Sequence, residues 1–187
     1  MAFLTDLWLP ILVSSVAVFF LSSLIHMGLR YHMRDYLRLP DEQDAIESIR
    51  GREIPPGDYM FPHCENMADL ATEEMQTKFK EGPVGMLTLM PSGPPTMGKQ
   101  LLQWFAFTVV MSVFIAYVAS LTVSSADSFG RILRVVSAVT FLAYVGAEPM
   151  QSIWKRRSWG TTARFGLDGV FYGLATGAVF AWLWPAA

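Results

Sequence analysis

Between Leu101 and Val123 the chain runs for 23 residues without a charged side chain, and a run of that kind has few ways to fold. At 1.5 Å per residue, a helix of about 20 residues crosses the roughly 30 Å hydrocarbon layer of a bilayer. Inside lipid the backbone must satisfy its own hydrogen bonds, which leaves the helix as the form for a single apolar run. Three further segments repeat the pattern: Trp8 to Leu29, about Ile132 to Gly146, and about Phe165 to Trp184. The first carries no charge unless His26 is protonated, and its length exceeds that of a signal-peptide core, so it reads as an uncleaved anchor. The third is interrupted by Arg134 and meets Glu148-Pro149, where the helix either stops or kinks and continues towards Trp154. The fourth holds Asp168 close to its beginning.

Charged residues make up only 16% of the chain, against about a quarter in soluble domains. Nearly all of them lie in residues 30–100 and 148–168. The expected fold class is therefore an all-α membrane protein: four transmembrane helices with a partly structured cytoplasmic insertion between helices 1 and 2. The segments are 1–29, 30–100 and 101–187. A net charge of −2 offers no field for phosphate neutralisation, so nucleic acid is not an expected partner. The single cysteine, Cys64, reads as a free thiol.

The basic residues set a direction. Twelve of the fourteen Lys and Arg fall in the connections between spans one and two and between spans three and four, whereas only Arg131 and Arg134 oppose them. Under the positive-inside rule, both termini are periplasmic and residues 30–100 are cytoplasmic, in a bacterial inner membrane. All six tryptophans fall near predicted span ends, as interfacial indoles do. Lys99, Lys155, Arg156 and Arg157 are positioned to meet lipid headgroups.

Gly169, Gly173, Gly177 and Ala181 recur every four residues along span four, a small face that lets another helix approach closely. Glu148, Arg164 and Asp168 read as interfacial ion-pairing groups, with Arg164 four residues before Asp168 on one helical face. Residues 29–38 keep helical spacing and are expected to extend the first helix until Pro40. Beyond it, a short helix runs from an Asp41 N-cap through Ile49, a second covers about Asn66 to Lys80, and a strand covers Val84 to Met90. So little structure buries little apolar area, and Met60, Phe61, Met67, Met75, Met86, Leu89 and Met90 either dock on a surface or form a small core.

Motifs for chemistry are weak. Gly93 to Gln100 (GPPTMGKQ) matches the spacing of a phosphate-binding loop, but Gln100 replaces the Mg²⁺-binding hydroxyl and Pro94 and Pro95 remove amide donors. His26, His32 and His63 are the weak cofactor-binding candidates. For His26 a polar helix contact is favoured over a metal or haem ligand, and His63-Cys64 lacks metal-site spacing. No catalytic residue, metal site or cofactor is expected, and the chain does not read as an enzyme.

The stretches PPGDYMFPHCENMA, GPVGMLTLMPSGPPTMGKQLLQWF and MQSIWKRRSW together resemble a group of small uncharacterised bacterial inner-membrane proteins, over most of the chain. The resemblance implies membrane placement and a bacterial source and transfers no site residue. The leading expectation is a non-catalytic accessory or scaffolding subunit of a larger energy-transducing membrane complex, respiratory or photosynthetic, in contact with lipids and other membrane-protein subunits. The alternatives are a haem- or metal-binding membrane redox protein and a small transporter.

Overall fold

The computed structural model describes residues 2–185. Among them, four helices are long and apolar enough to cross a membrane, Trp8–Leu29, Gly98–Thr122, Phe129–Lys155 and Trp159–Leu183. The chain is an all-α integral membrane protein with, among the described residues, one small two-stranded sheet outside its spans.

The helix ends follow from local chemistry. A short helix α1 (Ala2–Asp6) leads into α2 (Trp8–Ser23), which widens into a π-helical segment (Leu24–Leu29) and stops at Arg30, whose φ of 54° is left-handed. A 3₁₀ turn (Tyr31–Asp35) follows, and Tyr36 is extended. The continuous amphipathic helix expected over residues 29–38 is thus replaced by a π turn, a reversal and a tight turn. Spacing alone cannot register a left-handed residue, because that conformation is uncommon for any side chain other than Gly, Asn or Asp.

The second span is α5 (Gly98–Thr122), ending at an extended Val123. Ser128 then caps α6 (Phe129–Val145), its Oγ accepting from the Arg131 amide at 3.3 Å. After a turn at Gly146 and Ala147, α7 (Glu148–Lys155) continues the third span with Pro149 in its first turn, where the missing amide costs nothing. Of the two sequence alternatives, the helix therefore breaks and resumes. Ser158 caps α8 (Trp159–Leu183). Because α8 starts six residues before the expected Phe165, Asp168 lies about 13 Å along the helix rather than near its beginning.

In the membrane unit, α2 packs between α5 and α8, α5 also meets α6, and α6 makes its largest interface with α8. One apolar cluster joins Leu7, Ile11, Ile115, Ala119, Val136 and Phe180, and a smaller one joins Val18, Ile25 and Tyr172. Lipid tails are as apolar as these side chains, so close packing and interhelical hydrogen bonds hold the helices together. Small polar residues supply both. Ser14 Oγ donates to Ser112 Oγ at 3.2 Å, and the Trp104 indole donates to Ser22 Oγ at 2.8 Å. Trp104 is accordingly turned inward, whereas Trp8, Trp154, Trp159 and Trp182 are exposed.

The glycine face meets α6. A Cβ on Gly173 would stand 2.9 Å from the Ser137 carbonyl oxygen, one on Gly177 would stand 2.8 Å from that of Leu133, and one on Gly169 would collide with Val145. Ser137 Oγ donates to the Gly173 carbonyl at 2.9 Å. The small face is therefore consumed within the chain.

Residues 38–95 form a separate compact unit, and residues 30–37 stay with the spans. The unit contains α3 (Glu42–Arg50), strand β1 (Gly57–Phe61), a 3₁₀ turn (Met67–Ala71), α4 (Glu73–Glu81) and strand β2 (Gly85–Leu89). Asp41 precedes α3 in a left-handed conformation without a side-chain cap bond. Asn66 and Asp69 make a reciprocal capping box, but Thr72 then caps α4 separately, so the single helix expected from Asn66 is two pieces. The strands pair antiparallel with Met60 opposite Met86. A two-stranded antiparallel sheet is not the parallel sheet a phosphate-binding loop requires, so GPPTMGKQ has no such setting among the described residues.

Candidate functional site

Where the first span leaves the membrane unit, the π turn and the left-handed Arg30 fold the chain back on itself. His26 from the π turn and His32 from the 3₁₀ turn come together, their ring centroids 4.4 Å apart and their planes tilted by 44°. Both meet Asp168 of α8, whose side chain is only 2% exposed. A charge that deep must be compensated, and three groups supply the partners. Tyr31 donates its hydroxyl to Asp168 Oδ1. His32 Nε2 lies 2.9 Å from Asp168 Oδ2, and His26 Nε2 lies 3.8 Å from the same oxygen.

A second ring of contacts fixes the first. His32 Nδ1 is 2.6 Å from Asp35 Oδ2, and Arg164 Nε donates to Asp35 Oδ1 at 2.6 Å while its Nη2 also pairs with that carboxylate. Burial pushes the Asp35 carboxyl up, but hydrogen bonds from His32, Arg164 and Thr161 and the Arg164 charge outweigh it and hold the group below its ordinary 3.8. The Tyr31 phenol is pushed well above its ordinary value by burial and then by donation to Asp168, so it remains a hydrogen-bond donor. Phe165 closes one side, 4.9 Å from the His32 ring, and the Arg157 guanidinium lies 5.1 Å above the Phe165 ring.

The expected partners are redistributed. Arg164 and Asp168 share a helical face, yet Arg164 turns to Asp35 and Asp168 to the tyrosine and histidines, because the folded-back 31–35 segment offers both a partner. Glu148 pairs with Arg157, so Arg157 is not free for a headgroup. Lys99, Lys155 and Arg156 are exposed. His63 is exposed in the 38–95 unit and Cys64 is a half-buried free thiol in the same unit. Tyr31 and Asp35 have central roles that the sequence did not signal, since RYHMRDYLR has the spacing of a helix that continues the first span into the headgroup region.

Chemically, the cluster places two imidazoles and one carboxylate with a ligand atom from each within 4.8 Å of the others, backed by a carboxylate, a phenol and a guanidinium. No protein-family model, curated protein or solved structure matches the chain.

Proposed function

We propose that the chain is an accessory subunit of a larger membrane assembly, anchored by its four spans and engaging a partner through the 38–95 unit. The observation that carries this reading is the openness of that unit. Its elements leave an apolar-lined cleft of about 980 Å³ between α3, α4 and the two-stranded sheet, bordered by Ile49, Phe61, Met86 and Leu87. Met75 is its one buried hydrophobic residue among those described. Met60, Phe61, Met67, Val84, Met86 and Met90 are exposed. A unit with so little core gains stability by covering its apolar surface, and methionines suit an adaptable contact. The concentration of Lys and Arg in residues 30–100 and 155–164 supports a cytoplasmic position for this unit and periplasmic termini.

The test is purification from the native membrane in mild detergent with mass measurement of the protein component. A mass well above the chain's 20.9 kDa is expected, falling to that of the single chain in a Met60→Asp, Met86→Asp double variant that keeps its spans. A solitary monomer from the native membrane would sink the proposal.

A further inference from the structure

His26 makes no hydrogen bond among the described residues, although its Nε2 faces Asp168 Oδ2 at 3.8 Å. That separation is too long for a hydrogen bond. It suits two ligands of one ion, because bonds of about 2.0 to 2.2 Å at the usual angles put neighbouring donor atoms about 3 to 4 Å apart. His32 Nε2, 2.9 Å from the same oxygen, needs only a small opening to join them. We propose that His26, His32 and Asp168 bind a divalent first-row transition-metal ion at the end of the first span.

The surroundings are those of a metal ligand set. A ligating histidine is ordinarily oriented by a carboxylate on its other nitrogen. Asp35 does this for His32 at 2.6 Å and is itself held by Arg164. Tyr31 occupies Asp168 Oδ1, which leaves Oδ2, facing both histidines, as the donor atom. A π turn supplies one histidine and a left-handed Arg30 swings the other back towards it, and irregular backbone of both kinds recurs at functional sites.

The donor set indicates the class of ion. Two imidazole nitrogens and one carboxylate suit Zn²⁺, Fe²⁺ or Co²⁺, whereas Ca²⁺ and Mg²⁺ take oxygen ligands and Cu⁺ takes sulfur. Three protein ligands leave at least one position for water or another small ligand. The His26 side chain, 40% exposed, is where that position opens. The site is independent of whether the 38–95 unit has a partner, and its test reads the ion rather than an assembly.

Untagged full-length protein in mild detergent, stripped with a chelator, is titrated with Co²⁺ and then with Zn²⁺ in competition. One ion per chain is expected, with visible cobalt bands that zinc abolishes. His26→Ala and His32→Ala each weaken binding at least about tenfold, since loss of even an orienting group costs that much. His63→Ala and Cys64→Ser leave binding unchanged. X-ray absorption of the zinc-loaded wild type reports two imidazoles and a carboxylate without reliance on any variant. Failure to take up one ion per chain, an absorption spectrum without two imidazoles, or equal affinity in His26→Ala would overturn the proposal.

Discussion

Replacing Gly173 by alanine adds one methyl group at the most crowded kind of position a helix pair can offer. Its Cβ would lie 2.9 Å from the Ser137 carbonyl oxygen and 3.6 Å from the carbonyl carbon. Neither atom belongs to a side chain that can rotate away. An ordinary contact begins near 3.4 Å, so α8 must retreat from α6 by about half an ångström at this point. The retreat also stretches the 2.9 Å bond from Ser137 Oγ to the Gly173 carbonyl. Overpacking of this kind costs about 1 to 3 kcal/mol, and an interhelical hydrogen bond in a membrane protein contributes about 0.6. Alanine is the better helix former by about 1 kcal/mol, which offsets part of the loss. A net destabilisation of about 1 to 2 kcal/mol is expected, a 5- to 30-fold change in the folded-to-unfolded ratio. Gly166→Ala is the control, because the same helix has open space within 4 Å of the added carbon there. It carries the propensity gain without the collision. Reversible unfolding in detergent, followed by tryptophan fluorescence, gives both values. If the two alanine variants are equally stable, the close approach of α6 and α8 does not govern the bundle.

Arg164→Leu leaves the Asp35 carboxylate, 5% exposed, without its main counter-charge and is expected to cost about 3 to 5 kcal/mol, seen as a lowered midpoint in the same assay. Asp35 also predicts acid sensitivity. Its carboxyl is held below the ordinary 3.8, so the stability it contributes is complete above that value and is lost as pH falls through the lower folded-state value. Wild type should therefore lose stability below about pH 4 more steeply than Asp35→Asn, and parallel acid limbs in the two proteins would contradict the assignment. Trp104→Phe removes the donor to Ser22 at 2.8 Å and should lower stability by about 1 kcal/mol, in contrast to Trp159→Phe at an exposed ring.

The first two spans were legible because a charge-free run of 20 or more residues has one stable form in lipid, whereas Glu148-Pro149 marked only the neighbourhood of the break in the third, which falls at Gly146 and Ala147 with Pro149 inside the resuming helix. Ser158 is an ordinary capping residue, yet the start of α8 was placed too late. The apolar run begins only at Phe165, whereas hydrogen bonding begins at Trp159. The glycine face was visible as a period of four, but nothing in the period names α6 as its partner. The polar cluster was harder still. His26 and His32 are six apart, a spacing that shares no helical face, and only the π turn and the left-handed Arg30 bring them together. The Arg164–Asp168 spacing suggested a pair along one helix. Competition from residues 31–35, which approach from elsewhere in the fold, redirected both side chains.

His32 and Asp168 are 136 positions apart, and that separation orders assembly in time. The α6–α8 hairpin closes from neighbours in sequence, whereas the end of the first span must wait through the whole intervening synthesis for its counterpart. Non-local closure of this kind comes late. Until it happens, Tyr31 and His32 lack Asp168 and Asp35 lacks Arg164, and the Asp168 carboxyl enters the bilayer edge without its partners, at a cost of several kcal/mol. The first span is thus completed by the fourth, and a chain that stalls before Asp168 carries an unlatched first span as the mark of its immaturity.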